Sequence, residues 1–215
     1  MANLLIKICG ITQAELASQT ALAGADFIGI VFHPYSKRFV EVDQAKEIAA
    51  AVIQQQAVPV AVFVDQTAEE MQRICEATHI TTVQLHGSLS RATHHLLPAH
   101  YHRIYVQPIS SSLVTDEEQG LRHCDAKRDF VLFDSAQAGK GNPFLWSQLP
   151  ASISLPWFLA GGLSQQNVGD AIMRLHPHGI DVSSGVENTQ GKKELSLIQA
   201  FITAARAATR GHSHE

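Results

Sequence analysis

Reactive side chains lie at or near the ends of several short apolar segments of the chain. Cys9 and Asp134 are the last residues of two of these β-rich segments, Gln84 and His86 lie at the end of a third, and Asp181 lies in a fourth. A thiol and a carboxyl group brought to one place can remove and deliver a proton, which is general acid–base chemistry. Each residue alone also fits a structural role, Cys9 as a small buried hydrophobe and the carboxylates as helix caps or ion-pair partners.

Lys7 lies on the same apolar segment as Cys9. Residues two apart on a strand share a face, so the two side chains point to the same side. A lysine that faces the interior of a barrel needs an anionic partner, and Asp134 and Asp181 are the two candidates. The Lys7 ammonium group would also favour the thiolate form of Cys9.

The polar residues at the other segment ends follow the same alternation. Gln84 and His86 can share a face, and so can Asp181 and Ser183. His86 alone also fits a structural core histidine. Arg38, in the loop after the second segment, is either a solvated charge or part of a site.

Two glycine turns predict a phosphate site. Gly161-Gly162 follows the seventh apolar segment, and Ser183-Ser184-Gly185 follows the eighth. Glycine lets the backbone approach an anion closely, and N–H groups at helix starts donate to it. The loops after strands 7 and 8 of α/β barrels commonly bind phosphate, so turns in these two consecutive units favour a phosphate site over ordinary turns.

Strand and helix patterns alternate along the whole chain and would position these residues. The predicted strands are Leu4–Cys9, Phe27–Phe32, Pro59–Val64, Thr82–His86, Arg103–Gln107, Phe130–Asp134, Trp157–Ala160 and Ile180–Ser183. Several are almost wholly apolar, which is typical of parallel strands covered on both faces. We predict an α/β fold, a single (β/α)8 TIM barrel over residues 1–215 with eight parallel strands and outer helices. An open doubly wound sheet is the second choice.

Helix starts are predicted from capping residues. The predicted caps are the capping boxes Thr12–Glu15 and Thr67–Glu70 and the single N-caps Asp43 and Ser164. The last helix is predicted from about Lys193 to Ala208. A flexible tail is expected from about residue 209 to residue 215, because chain ends commonly fray.

The composition excludes several classes of protein. The 215 residues carry a net charge of -4, which argues against nucleic acid or an anionic membrane as partner. Three widely spaced cysteines and the absence of His-Glu-x-x-His argue against a disulfide scaffold and a metal site. No apolar run nears the roughly 20 residues of a membrane span, and no nucleotide-binding fingerprint is present. We expect a cytoplasmic monomer or homodimer that acts on a small phosphorylated molecule without metal or other cofactor.

These residues resemble the phosphoribosylanthranilate isomerase family of tryptophan biosynthesis. The matching segments are Lys7–Thr12, Gly24–Arg38, Val83–Gly87, Phe133–Ser135, Ala160–Leu163 with Asn167-Val168, and Gly179–Glu187. They follow the family's order across almost the whole chain. The first and the last are specific to this family among phosphate-binding barrels.

The resemblance implies a cofactor-free Amadori rearrangement of N-(5-phosphoribosyl)anthranilate to 1-(2-carboxyphenylamino)-1-deoxyribulose 5-phosphate. It implies Cys9 as the general base and Asp134 as the general acid. It also implies that Arg38 holds the anthranilate carboxylate and that Asp181 lies near the anthranilate nitrogen. Gln84 and His86 are further substrate-binding candidates, and the phosphate would bind at Gly161, Gly162, Ser183, Ser184 and Gly185.

One loop departs from the family's pattern. After the sixth strand, Gln137–Trp146 lacks the Gly-Gly pair and the Thr that many members carry, and we expect this loop to be a lid. Another phosphate-binding barrel isomerase, an indole-forming synthase and a metabolite-binding protein without catalysis remain alternatives. Paired Cys9 and Asp134 argue against the two enzymes, and Arg38 with that pair argues against the binding protein. A Rossmann redox protein is excluded by the lack of its fingerprint.

Overall fold

The eight strands close into one parallel barrel, so the first choice of fold is confirmed and the open sheet is excluded. The computed structural model describes residues 4–108, 121, 123–134 and 155–210. Each strand pairs with the next in chain order, and the eighth returns to the first. The strands are β1 Leu5–Cys9, β2 Phe27–Val31, β3 Val58–Phe63, β4 Thr82–Leu85, β5 His102–Pro108, β6 Phe130–Asp134, β7 Trp157–Ala160 and β8 Gly179–Val182.

Helices of the described residues surround the barrel. They are α1 Ala14–Leu22, α2 Val42–Gln54, α3 Ala68–Thr78, α4 Ser88–Thr93, α5 Val168–Leu175 and α6 Leu195–Arg210. Neighbours pack side by side, α1 on α2 and α5 on α6, and α6 also contacts α1. Their apolar faces cover the outward residues of the strands, which explains why those strands are apolar on both faces. Among these described helices, each is too short or too polar to span a lipid bilayer.

The inward residues of the strands fill the barrel below the predicted site. Three aromatic rings, Phe27, Phe130 and Phe158, meet edge to face with centroids 5.1 to 6.1 Å apart. Gly179 makes room for them, because a Cβ atom there would lie 2.4 Å from the ring of Phe158. The amino-terminal half of the interior is therefore packed solid, and polar chemistry is confined to the carboxyl-terminal half.

Helix ends show where the capping predictions succeed. Thr67 and Glu70 form the predicted capping box at the start of α3. The other three predictions are wrong: the N-caps are Gln13 for α1, Glu41 for α2 and Asn167 for α5. None of these three side chains makes a capping hydrogen bond, so tertiary packing rather than capping sets those helix starts.

The end of the chain differs slightly from the expectation. Helix α6 continues to Arg210, two residues beyond the predicted end at Ala208. Arg206 anchors this helix through hydrogen bonds to the carbonyl oxygens of Leu4 and Gly24 and an ion pair with Asp26. The rest of the predicted tail, residues 211–215, and the predicted lid, residues 137–146, lie outside the described residues.

Candidate active site

Five of the predicted site residues gather at the carboxyl-terminal mouth of the barrel. Cys9, Gln84 and Asp181 are inward-facing and buried, whereas Asp134 is half-buried and His86 is accessible from the mouth. They come from strands far apart in sequence, and closure of the barrel brings their carboxyl ends to one rim.

Lys7 takes Asp181 as its partner, which decides between the two candidates. Its Nζ atom lies 2.8 Å from Oδ1 of Asp181, and the Lys7 side chain is fully buried. Burial acts against the ammonium form, yet Asp181 and Cys9 outweigh it and raise the pKa of Lys7. The pair places a fixed positive charge directly beneath the Cys9 thiol.

Gly29 provides the space for this arrangement on the neighbouring strand. A Cβ atom at this position would lie 2.8 Å from Sγ of Cys9 and 3.2 Å from Nζ of Lys7. Strand β2 pairs with β1 in the register Cys9 to Gly29, so the glycine stands directly beside the thiol. A larger residue here would displace the thiol or the ammonium group.

Burial raises the pKa of the Cys9 thiol. The charge of Lys7 pulls the pKa down and Asp181 pushes it up, while Lys193 also lowers it. Lys7 favours the thiolate, as expected, but desolvation of the buried anion outweighs this one paired cation, so the net shift in the pKa of Cys9 is upward. Without substrate, Cys9 is a thiol at neutral pH.

Asp134 has the displaced pKa that an acid needs. Burial raises the pKa of Asp134, Asp181 raises it further, and His86 and Lys7 lower it. Burial in turn lowers the pKa of His86, so the imidazole is neutral at neutral pH. A neutral His86 opposes protonation of Asp134 less than an imidazolium would.

Gln84 lies on β4, two residues before His86, so both side chains point to the same side of the strand. Gln84 is 2% exposed, and within the described residues its Oε1 atom has no hydrogen-bond partner. A buried orphan acceptor is rare and marks a place where a water or a ligand donor fits. This agrees with Gln84 as a substrate-binding candidate.

Arg38 reaches the same mouth from the loop after β2. Its aliphatic stem crosses Gly10, where the backbone φ is +82° and a Cβ atom would lie 2.3 Å from Cδ of Arg38. The Nε atom of Arg38 lies 2.6 Å from Oε1 of Glu187, and Lys193 pairs with that same oxygen at 2.9 Å. The sequence reasoning missed Glu187 and Lys193 as site residues, because nothing in their spacing links them to Arg38.

The two predicted phosphate turns touch each other on neighbouring strands. Gly161 and Gly162 adopt φ values of +90° and +63°, which favour glycine. A Cβ atom at Gly185 would lie 1.9 Å from the carbonyl oxygen of Leu163, so the second turn packs directly on the first. Ser183 donates its hydroxyl to the carbonyl oxygen of Cys9 at 3.3 Å, which joins the turns to the acid–base cluster.

Fold and site together define the class, a TIM-barrel enzyme with a thiol and a carboxyl group at one rim. A family model described as N-(5'phosphoribosyl)anthranilate (PRA) isomerase matches residues 6–204. The chain therefore belongs to the N-(5'-phosphoribosyl)anthranilate isomerase family, and it is an isomerase of tryptophan biosynthesis.

Individual relatives agree with this assignment. The N-(5'-phosphoribosyl)anthranilate isomerase of Neisseria meningitidis serogroup B is 38% identical over 215 residues, covering 98% of this chain and all of the relative. The crystal structure of TrpF from Jonesia denitrificans is 30% identical, with a TM-score of 0.81 over 96% of this chain and 98% of that one.

A third similar structure is a phosphoribosyl anthranilate isomerase in complex with reduced 1-(o-carboxyphenylamino)-1-deoxyribulose 5-phosphate. It is 30% identical, with a TM-score of 0.71 over 95% of this chain and all of that one.

Proposed function

We propose that Cys9 and Asp134 are the general base and the general acid of the isomerisation of N-(5'-phosphoribosyl)anthranilate. The observation that carries the proposal is their common place at the inner rim, beside the Lys7–Asp181 pair and the two glycine turns. A phosphate held at the turns after β7 and β8 leaves the sugar to extend across the mouth towards both residues.

The first step opens the ribose ring. Protonated Asp134 gives its proton to the ring oxygen, the bond between C1 and that oxygen breaks, and the nitrogen lone pair forms a C1–N iminium. Burial raises the pKa of Asp134 above that of an exposed aspartate, so more of it is protonated and available as an acid at neutral pH. Asp181, at the rim beside Lys7, would face the positive nitrogen.

The second step removes the proton from C2. The Cys9 thiolate takes this proton, and the electrons of the C2–H bond form a C1–C2 double bond and neutralise the nitrogen. The resulting enolamine tautomerises to the ketone by losing its O2 proton and gaining one at C1. The step leaves Asp134 ionised and Cys9 protonated, which is the resting form, and transfer of that proton from Cys9 to Asp134 through solvent regenerates the productive form.

The thiolate forms only when its surroundings are positive enough. In the free enzyme burial raises the pKa of Cys9, so few molecules carry a thiolate. The iminium adds a second positive charge to that of Lys7 within the same desolvated mouth, and both charges lower the pKa of the thiol. Proton removal is therefore coupled to ring opening.

The remaining candidates bind the substrate in this proposal. Arg38 holds the anthranilate carboxylate in its planar fork. Gln84 and His86 line the mouth below and beside the sugar, where the orphan oxygen of Gln84 can accept a hydrogen bond from a sugar hydroxyl. The phosphate accepts hydrogen bonds from backbone N–H groups and hydroxyl groups of the two turns. Their residues are Gly161, Gly162, Ser183, Ser184 and Gly185.

Turnover of freshly generated N-(5'-phosphoribosyl)anthranilate, followed as loss of anthranilate fluorescence, tests the proposal. We expect Cys9→Ser and Asp134→Asn to reduce kcat by roughly 10²-fold or more, as for general acid–base residues. Glu47→Gln on α2 removes an exposed carboxylate as Asp134→Asn removes a half-buried one, and this matched control should retain full activity. Full activity in Cys9→Ser or Asp134→Asn would refute the role of that residue.

We further propose a single domain, present as a monomer or a homodimer in the cytoplasm. The support is the closed barrel of the described residues and the relatives that match the chain along its whole length. A similar isomerase from Thermotoga maritima is dimeric, and monomers have been generated from it, so a monomer and a dimer are both compatible with this barrel. Sedimentation at several concentrations and fractionation of the native host cells test these points.

A further inference from the structure

Glu187 forms the centre of an ion triad at the mouth of the barrel. Its Oε1 atom accepts from Nε of Arg38 at 2.6 Å and from Nζ of Lys193 at 2.9 Å. The side chains of Glu187 and Lys193 are 10% and 5% exposed, whereas that of Arg38 is 31% exposed. Two residues of the triad are therefore embedded in protein, and the third faces the open mouth.

Lys193 is fully engaged by protein groups. Besides Glu187, its ammonium group donates to the carbonyl oxygen of Ser183 at 2.7 Å and to the Ser183 hydroxyl at 3.3 Å. These three contacts use all three ammonium hydrogens, so Lys193 acts through its neighbours. It ties Glu187 to the end of β8, where the phosphate turn begins.

Arg38, in contrast, has donors to spare. Glu187 occupies Nε, and within the described residues the two terminal nitrogens of the guanidinium have no hydrogen-bond partner. Because the guanidinium is planar, fixing Nε and packing the stem over Gly10 fixes the direction of the remaining fork. The two terminal nitrogens form one free edge of this planar group, and that edge matches a carboxylate in a bidentate contact.

We propose that Glu187 and Lys193 are positioning residues for carboxylate recognition by Arg38. The inference rests on the proposed function, in which Arg38 takes the substrate carboxylate. Glu187 orients the fork before substrate arrives, and Lys193 locks Glu187 to Ser183, so the carboxylate and phosphate ends of the site keep a fixed spacing. Glu187 also neutralises one of two neighbouring cations, which leaves Arg38 as the single place where the carboxylate binds.

Substrates with and without the carboxylate test this role. Steady-state kinetics are compared for N-(5-phosphoribosyl)anthranilate and for N-(5-phosphoribosyl)aniline, with the wild type, Glu187→Gln and Lys193→Met. We expect KM for the carboxylate substrate to rise about tenfold or more in both variants, since a lost charge-assisted contact is of that size. The kcat value should change far less, and the aniline substrate should be nearly unaffected.

Matched variants separate this effect from a general loss of charge. Lys192→Met removes the exposed lysine next to Lys193, and Glu47→Gln removes an exposed carboxylate on α2; both should behave as wild type. In an Arg38→Met background, Glu187→Gln should add nothing to KM, because the residue it positions is gone.

Equal impairment of both substrates by Glu187→Gln would overturn the proposal and indicate a purely structural ion triad. Failure of both Glu187→Gln and Lys193→Met to fold would overturn it in the same way. A wild type that folds but turns over neither substrate would instead refute the proposed function, so the two failures are distinguishable.

Discussion

At the scale of single residues, the site depends on two ionisable groups whose pKa values both lie above their ordinary positions. Burial raises the pKa of Asp134, which helps an acid, and also raises the pKa of Cys9, which hinders a base. The productive enzyme carries protonated Asp134 and ionised Cys9, the reverse of the order in which the two groups lose protons. Only a small fraction of the free enzyme is therefore competent at any pH.

This reversed order predicts a bell-shaped dependence of kcat/KM on pH. Because the pKa of Asp134 stays below that of Cys9, the singly protonated pair dominates between the two values. Activity rises as pH passes the raised pKa of Asp134 and falls as pH passes the raised pKa of Cys9.

The limbs can be assigned by substitution. The residual activity of Cys9→Ser should no longer rise with pH but fall as pH passes the pKa of Asp134, because only protonated Asp134 is still required. The residual activity of Asp134→Asn should only rise, as pH passes the pKa of Cys9, because only the thiolate is still required. An alkaline limb that persists unchanged in Cys9→Ser would show that another group sets it.

At the scale of the elements, the sequence predicts features that depend on neighbouring residues, such as strands and turns. It does not predict features that depend on tertiary contacts. Apolar runs predict all eight strands to within one residue at each end, and the glycine turns are predicted from their place after β7 and β8. Capping was predicted correctly only for Thr67. At α1 the carbonyl oxygen of Thr12 accepts from Gln44 of α2 at 2.6 Å, a tertiary contact that a local motif does not reveal.

The functional pairings had the same limit. Alternation along the strands put Lys7 and Cys9 on one face, but the choice of Asp181 over Asp134 required the closed barrel. Glu187 lies 149 positions from Arg38, and no periodicity connects the two. Long-range ion pairs depend on how elements meet, so a single sequence does not specify them.

Gly29 on β2 should be needed to keep the Cys9 thiol on β1 in its observed position. Gly29→Ala places a methyl group 2.8 Å from Sγ of Cys9, so we expect activity to fall by about 10²-fold through displacement of the thiol. Overpacking should also destabilise the barrel by about 1–3 kcal/mol, measured by denaturant unfolding.

Gly169→Ala is the matched control for this substitution. Gly169 lies in α5, where the nearest atom to a new Cβ is 3.9 Å away, so activity should be unchanged and stability should shift by no more than about 1 kcal/mol. Wild-type turnover in Gly29→Ala would show that the thiol does not need its observed position.

At the scale of the whole molecule, the barrel separates a stable half from a reactive half. The aromatic cluster fills the amino-terminal half of the barrel interior, and a second apolar core lies between the strands and the outer helices. The mouth instead gathers charged and desolvated groups, which cost folding free energy. Burial of apolar surface in the packed half offsets this cost in folding free energy.

Asp134 makes the cost measurable. Its pKa is raised in the folded state, so ionisation disfavours folding: the penalty is absent below the unfolded pKa, grows between the two values and is constant above the folded one. Asp134→Asn should therefore raise Tm at about pH 8, and the gain should vanish towards acid pH. A lower Tm than wild type at about pH 8 would contradict the assigned environment.

The fate of the proton at C2 of the substrate tests the roles of Cys9 and Asp134 most directly. Substrate deuterated at C2 is given to the wild type, Cys9→Ala and Asp134→Asn, and release of deuterium into solvent is followed by mass spectrometry. We expect the wild type to release deuterium at the rate of turnover and both variants to lose roughly 10²-fold or more, because proton removal follows ring opening. Release by Cys9→Ala at the wild-type rate would contradict the role of Cys9, since another group would then be the base.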